Sequence, residues 1–406
     1  MLKTKRQALI SWLSEWNRRR LERRKFARRN RHTPSYQSWV RDHATPSPAA
    51  LDAWRRTGKQ SDQPLISVLV PVYNAKPHHL KAAIASVLAQ THERWELCMA
   101  DDASTQPEVR EIIRKAALSD SRIKHVFRPT NGHIAQASNS ALELATGDFV
   151  ALLDQDDLLA PHALSVMANE VLQHPDAEIV YSDEDKIDEA GWRSNPHFKP
   201  DWNHTLLLSQ NYVCHLLMIR RSLVELVGGF RQGYEGAQDH DLLLRCVEHT
   251  SAETIRHVPQ VLYHWRVHAA STAKSLKSKP YAQVNGCRAV QDHLDRTGIK
   301  GSVSVDGLFY RVNYAPLTEW PKVSVVIPTR DKPDLLKQCV SSVLSRTNYP
   351  NIEFLIVDNG TADSEALTCL GHFATDPRVR IIRDESPFNY SALNNMAVTQ
   401  STGSVI

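Results

Sequence analysis

The chain repeats itself. Ser67-Val68-Leu69-Val70-Pro71 recurs as Ser324-Val325-Val326-Ile327-Pro328, and the stretch from Ala85 to Thr91 recurs from Ser341 to Thr347. Ala100-Asp101-Asp102 answers to Val357-Asp358-Asn359, and Ala145-Thr146-Gly147 to Ser401-Thr402-Gly403. The offset is 256 or 257 residues throughout, so a second copy of one domain begins near Pro321. A fixed offset of this kind constrains the fold more than any local propensity does, because one architecture must suit both copies. The second copy reaches Ile406 before the counterpart of Asp154. It is therefore expected to be a truncated product or the front of a longer protein.

Within the first copy, apolar runs alternate with segments of helical spacing. Leu65 to Val72, Trp95 to Ala100, Ile123 to Phe127 and Phe149 to Leu153 read as strands. Leu80 to Gln90, Val109 to Ala117 and Ala135 to Ala145 read as helices between them. This alternation predicts an α/β fold, with a Rossmann-like, mostly parallel sheet and helices on both faces. Polar residues follow each strand, on one common edge.

The fourth of these strands empties into Asp154-Gln155-Asp156-Asp157. Unpaired charge is costly to bury, so these acids belong at the open carboxyl end of the strand, where α/β sheets bind ligands. Closely spaced carboxylates repel one another unless a cation sits among them, and an oxygen-preferring divalent metal carrying a phosphate suits the site. A solvated acidic turn before a helix near Pro161 is the bland alternative.

The net charge of +4 is unevenly placed. Residues 1–31 carry twelve Lys or Arg against Glu15 and Glu22, which leaves the remainder acidic. Leu9, Trp12, Leu13 and Trp16 share a helical face beside the basic block Arg18 to Arg31. That combination suits peripheral contact with an anionic membrane, with a solvated tail as the alternative. No segment reads as a base-recognition motif, so no specific nucleic-acid partner is expected. Six scattered cysteines, no spanning apolar run and no signal peptide place the chain in the cytoplasm, with the arm at the inner membrane face. Residues 32–63 read as a proline-punctuated linker with one short helix.

Ser67 to Asn74, Ala85 to Thr91, Asp101-Asp102-Ala103-Ser104, the Asp154 to Asp157 turn, Gln238 to Arg245 and Tyr263 to His268 together resemble family 2 glycosyltransferases of the GT-A fold. The tandem copy is similar to bacterial rhamnosyltransferase-like proteins that build rhamnose-containing or other surface polysaccharides. The resemblance covers about residues 64–275 fully and 321–406 in part. It implies a complete GT-A domain over 64–316 and a partial second one over 317–406.

The resemblance also implies roles. Pro71, Tyr73 and Asn74 would meet the donor nucleotide, with Tyr73 stacking on the base, and Asp102 would accept a hydrogen bond from a uracil-like ring. Asp101 competes as a cap for the helix near Pro107, while Asn139 and Asp148 are weaker candidates. Asp156 would contact the metal, Mn2+ or Mg2+, and Asp154 the donor ribose or the metal shell; Asp157 reads as a cap for the next helix. Asp239 would be the general base of an inverting transfer, with Asp241 as fallback and Gln238 where many members carry an acid. His268, with His264 as rival, would supply a third metal ligand, and Arg266 would neutralise diphosphate. Trp192 to Trp202 would face the acceptor. The acidic run Ser182 to Lys186 is either solvated charge or a minor acceptor element. The expected partners are a nucleotide-sugar donor and a glycan or lipid-linked glycan acceptor. The rival outside enzymology is an inactive scaffold. A nucleotidyltransferase would need a glycine-rich phosphate loop where Val72 to Lys76 stands.

Overall fold

The computed structural model describes residues 34–58, 62–267 and 280–406. The basic arm at 1–31 and His268 lie outside the described residues. Two compact units, residues 1–314 and 315–406, divide the chain.

The first unit opens with two helices, α1 (Pro34–His43) and α2 (Pro48–Thr57), where the sequence suggests a linker with one short helix. The Ser47 hydroxyl caps α2 by accepting from the Ala50 amide at 3.2 Å. Tyr36 of α1 is buried, and its hydroxyl donates to Asp185 at 2.6 Å. The segment is docked by a long-range polar contact that local composition does not reveal.

Strands and helices then alternate: β1 (Ile66–Val72), α3 (Pro77–Leu88), β2 (Trp95–Asp101), α4 (Pro107–Ser119), β3 (Ile123–Phe127), α5 (His133–Leu142) and β4 (Phe149–Leu152). Parallel pairing gives the order β3-β2-β1-β4. Alternate side chains of each strand enter opposite cores. Val68, Val70, Leu97 and Met99 pack on one face with Ile84 of α3 and Ile113 of α4. Leu69, Cys98 and Ala100 pack on the other with Ala135 and Ala141 of α5. Such two-sided burial makes these strands near-continuous apolar runs.

The sheet continues through β5 (Leu158–Leu159), β6 (Ile179–Ile187), β7 (Arg193–His197), β8 (Leu217–Arg220) and β9 (Ile255–Arg266). It has nine strands, with β8 antiparallel to both β4 and β6, and β9 parallel to β6. Helices α6 (Ala163–Gln173), α7 (His204–Ser209), α8 (Arg221–Leu226), α9 (Gln238–Val247) and α10 (Pro280–Thr297) complete the layers, with a hairpin of β10 (Gly301–Asp306) and β11 (Phe309–Tyr314). Strand β6 runs through the acidic stretch, and Asp183, Glu184 and Asp185 are buried. The solvated reading of that stretch is overturned, since each acid has a partner. Asp183 meets His257 at 2.9 Å, Glu184 meets Lys199 at 3.4 Å, and Asp185 meets Arg193 at 2.6 Å.

The second unit holds β12 (Val323–Thr329), α11 (Pro333–Arg346), β13 (Ile352–Asp358), α12 (Ser364–Phe373), β14 (Val379–Arg383) and α13 (Tyr390–Gln400). Its strands pair in parallel in the order β12-β13-β14, the counterpart of β1-β2-β3. The repetition extends to buried polar detail. Ser67 donates to Glu96 at 2.7 Å while Thr146 and Gly147 close the network, and Ser324, Glu353, Thr402 and Gly403 repeat it bond for bond. Among the described residues, no helix is long and apolar enough to cross a membrane.

Candidate donor and metal site

The carboxyl ends of β1, β2 and β4 open onto a cleft of about 610 Å³. Its walls include Pro71, Tyr73, Asn74, Asp102, Asp154 and Asp156, so one cavity gathers the expected donor residues and both outer acids of the turn. His79, Gln155 and Trp265 complete it from α3, the turn and β9.

The loop after β1 is held in an unusual shape. Asn74 adopts φ +46°, and its side-chain oxygen accepts from the Thr105 amide at 2.9 Å while its own amide donates to Ser104 Oγ. Asn74 therefore staples the β1 loop to the β2 loop. Tyr73 is left 45% exposed, with its ring free of the core. Asp331 repeats the device in the second unit, with φ +48° and bonds to the amides of Ala362 and Asp363.

Asp102 is buried at the cleft wall and accepts from Arg128 Nε at 2.8 Å and from the Gly132 amide at 2.9 Å. A carboxylate offers about four lone-pair sites, which leaves it capacity for a ligand. Asp101 caps no helix. It accepts from the Ser104 amide and pairs with Arg110, while Gln106 occupies the cap position of α4 without a side-chain bond. Asn139 bridges to the Phe230 backbone and Asp148 accepts from the Leu65 amide, so both hold structure together.

At the acidic turn the outer carboxylates differ from the inner one. Asp154 keeps 41% of its side chain exposed, whereas Asp157 is buried. The cap role expected for Asp157 gives way to a packing role. It accepts from Tyr263 Oη at 2.6 Å and from the Arg266 amide at 2.7 Å. Burial, with Asp154 and Asp156 nearby, pushes its carboxyl well above the usual range. Arg266 Nε holds the Asp156 carbonyl at 2.7 Å, so this arginine braces the turn.

His215 completes the turn, and no local motif marks it. Ligand-type atoms of Asp154, Asp157 and His215 lie within 4.8 Å of one another. With Asp157 engaged by Tyr263 and Arg266, the Asp154 carboxylate and the His215 imidazole are the groups left to a metal, a pair that suits manganese better than calcium. The His215 ring stacks on Tyr263 with centroids 4.5 Å apart, and its Nε2 lies 3.9 Å from Asp154 Oδ2. His264, the sequence-level rival to His268, is committed elsewhere: its Nδ1 pairs with Asp185 at 2.7 Å.

Asp239 lies in the first turn of α9, and Asn211 Nδ2 donates to its Oδ2 at 2.8 Å. Asp241 is spent. It is fully buried between Arg231 and Arg245, which removes it as a fallback base. Asn211 and His215 belong to one short segment before β8. Buried Lys199 pins that segment by donating to the Val213 carbonyl at 2.6 Å, to the His215 carbonyl, and to Ser182 O. Glu184 accepts from the His215 amide at 3.0 Å. Burial works against the charge of Glu184, yet Lys199, His197 and His215 outweigh it and hold its carboxyl at about 2.

The stretch from Trp192 to Trp202 divides. Trp192 and Phe198 are exposed, with Phe198 edge-on to Trp39 at 5.0 Å, whereas Trp202 packs on the second core.

A parallel β3-β2-β1-β4 half-sheet with a carboxylate turn after β4 defines an α/β fold of GT-A type. The model of Glycosyl transferase family 2 matches residues 67–228 and 324–406, and the chain belongs to this family. An uncharacterized protein of Sinorhizobium fredii is 50% identical over 347 residues, covering 84% of this chain and 38% of that protein. The O-antigen biosynthesis protein RfbC of Myxococcus xanthus is 40% identical over 373 residues, covering 91% of this chain and 29% of that protein. The chain thus spans well under half the length of these curated relatives. A crystal structure of S. aureus TarS with UDP-GlcNAc aligns at TM-score 0.45 and 18% identity, over 57% of this chain and 72% of that one.

Proposed function

We propose that the first unit is a metal-dependent, inverting glycosyltransferase moving a sugar from a nucleotide-sugar onto a growing cell-surface glycan or glycolipid. The observation that carries this reading is the single cleft shared by Tyr73, Asp102, Asp154 and Asp156. Tyr73 would stack on the base, and Asp102 would take a ring N–H. Asp154 and Asp156 would hold Mn2+ or Mg2+, with His215 beside them and His268 as a further ligand. A bound divalent metal neutralises the departing nucleoside diphosphate. Asp239 would accept the acceptor hydroxyl proton as that oxygen attacks the anomeric carbon. Residues 1–31 would bring the enzyme to the anionic inner face of the membrane, which binding to anionic vesicles before and after their deletion tests.

The deciding experiment is hydrolysis of UDP-, GDP- and dTDP-sugars by the full chain with Mn2+ or Mg2+. Turnover of one donor, stopped by chelation and by Asp239→Asn, is the expected result. Absence of both turnover and metal-dependent nucleotide binding across the panel overturns the reading.

A further inference from the structure

The base candidate and the metal turn are held by opposite ends of one backbone segment, residues 211–215. At one end Asn211 donates to Asp239; at the other, His215 faces Asp154 at 3.9 Å. The Asn211 side chain has a fixed sense. Its Oδ1 accepts from the Cys214 amide at 3.3 Å, so its Nδ2 must be the group turned toward the carboxylate. The backbone between the two ends is anchored from below by Lys199 and Glu184, both buried. The segment is a shelf with the Asn211 amide at one functional edge, the His215 ring at the other and a buried ion pair beneath it.

We infer that Asn211 is a positioning residue that aims the Asp239 carboxylate at the acceptor hydroxyl, in register with the metal turn. The inference rests on the base role proposed above for Asp239. A donor on one carboxylate oxygen leaves the other oxygen to receive the proton and stops the side chain rotating away. Misplacing a catalytic group by about 1 Å is enough to cost roughly a hundredfold in rate. Asn211 is not among the residues lining the donor cleft, so its loss is expected to fall on turnover and not on donor affinity.

The test uses the full chain with Mn2+ and the donor hydrolysed best in the panel. Asn211→Ala should lower kcat by tenfold or more, with donor KM and calorimetric UDP affinity unchanged. Asn211→Gln, which keeps the donor group, should recover part of the loss. An unchanged kcat in Asn211→Ala overturns the inference. Full turnover by Asp239→Asn instead removes the base reading, and the positioning role with it. If Asn211→Ala unfolds, Asn211→Gln and Asn211→Ser carry the test, and equal rates in both overturn it.

Discussion

Gln155 grips Tyr73 by both of its backbone groups, accepting from the Tyr73 amide at 2.8 Å and donating to its carbonyl at 3.2 Å. The residue between the two outer acids of the metal turn thus fixes the loop that presents the exposed aromatic ring. On the proposed function, base stacking and metal binding would share one support. Gln155→Ala should therefore weaken UDP binding in the presence of Mn2+ by about 1 kcal/mol, roughly fivefold. Isothermal titration of the two proteins measures it, and equal affinities reject the coupling.

The His215 imidazole and the His264 imidazole make a clean contrast across β9. His215 faces Asp154, while His264 pairs with buried Asp185, which also receives Tyr36 and Arg193. His215→Ala should weaken Mn2+ binding by about tenfold. His264→Ala should lower the melting temperature and leave Mn2+ affinity alone. Manganese titration and calorimetry on both variants distinguish them, and the reverse pattern would return His264 to the metal site.

The repeated serine–glutamate network predicts a shared acid transition. Burial alone would raise the carboxyls of Glu96 and Glu353, but their serine, threonine and lysine donors outweigh it and hold both at about 2, against an ordinary 4.5. A carboxyl depressed in the folded state stabilises fully above its unfolded value and loses that contribution as pH falls through its folded value. Urea midpoints should thus fall between about pH 5 and 2. Glu96→Gln should flatten the part of that fall belonging to the first unit. An equally steep fall in the variant would assign the acid loss to other carboxylates.

Legibility in the sequence followed burial on two faces. Strands β1, β2 and β4 are mostly apolar because helices cover both sides, with Ser67 and Glu96 paired inside, so their limits were readable to within a residue or two. The acidic part of strand β6 was not readable as strand. It carries Asp183, Glu184 and Asp185, and the partners that make their burial tolerable include Tyr36, 149 residues away from Asp185. The candidate site divides in the same way. Tyr73, Asp102 and Asp154 stand at strand ends, where a local pattern points to them. Asn211, His215 and Lys199 act through contacts with distant elements, such as the pairing of Asn211 with Asp239 across 28 residues, and no local pattern marks them. The second copy was legible because whole runs recur, down to the left-handed turn residue at Asn74 and Asp331.

Asp239 and Asp241 stand two residues apart on α9, and the helix sends them to different tasks. Asp239 is half-buried with one amide donor, whereas Asp241 is enclosed by the guanidiniums of Arg231 and Arg245. Arg245 is itself almost wholly buried and also donates to the carbonyls of Val227 and Gly229, so it cannot follow solvent if its partner is neutralised. Removing one member of a buried pair leaves an uncompensated charge and costs about 3–5 kcal/mol. Asp241→Asn should accordingly show a large drop in urea stability, with any loss of turnover tracking the unfolded fraction. Asp239→Asn removes only a partly solvated carboxylate; its stability should stay within about 1 kcal/mol of the parent while turnover disappears. Comparing denaturation curves with rates measured well below the transition separates the two roles, and a folded Asp241→Asn protein without turnover would transfer the base to Asp241.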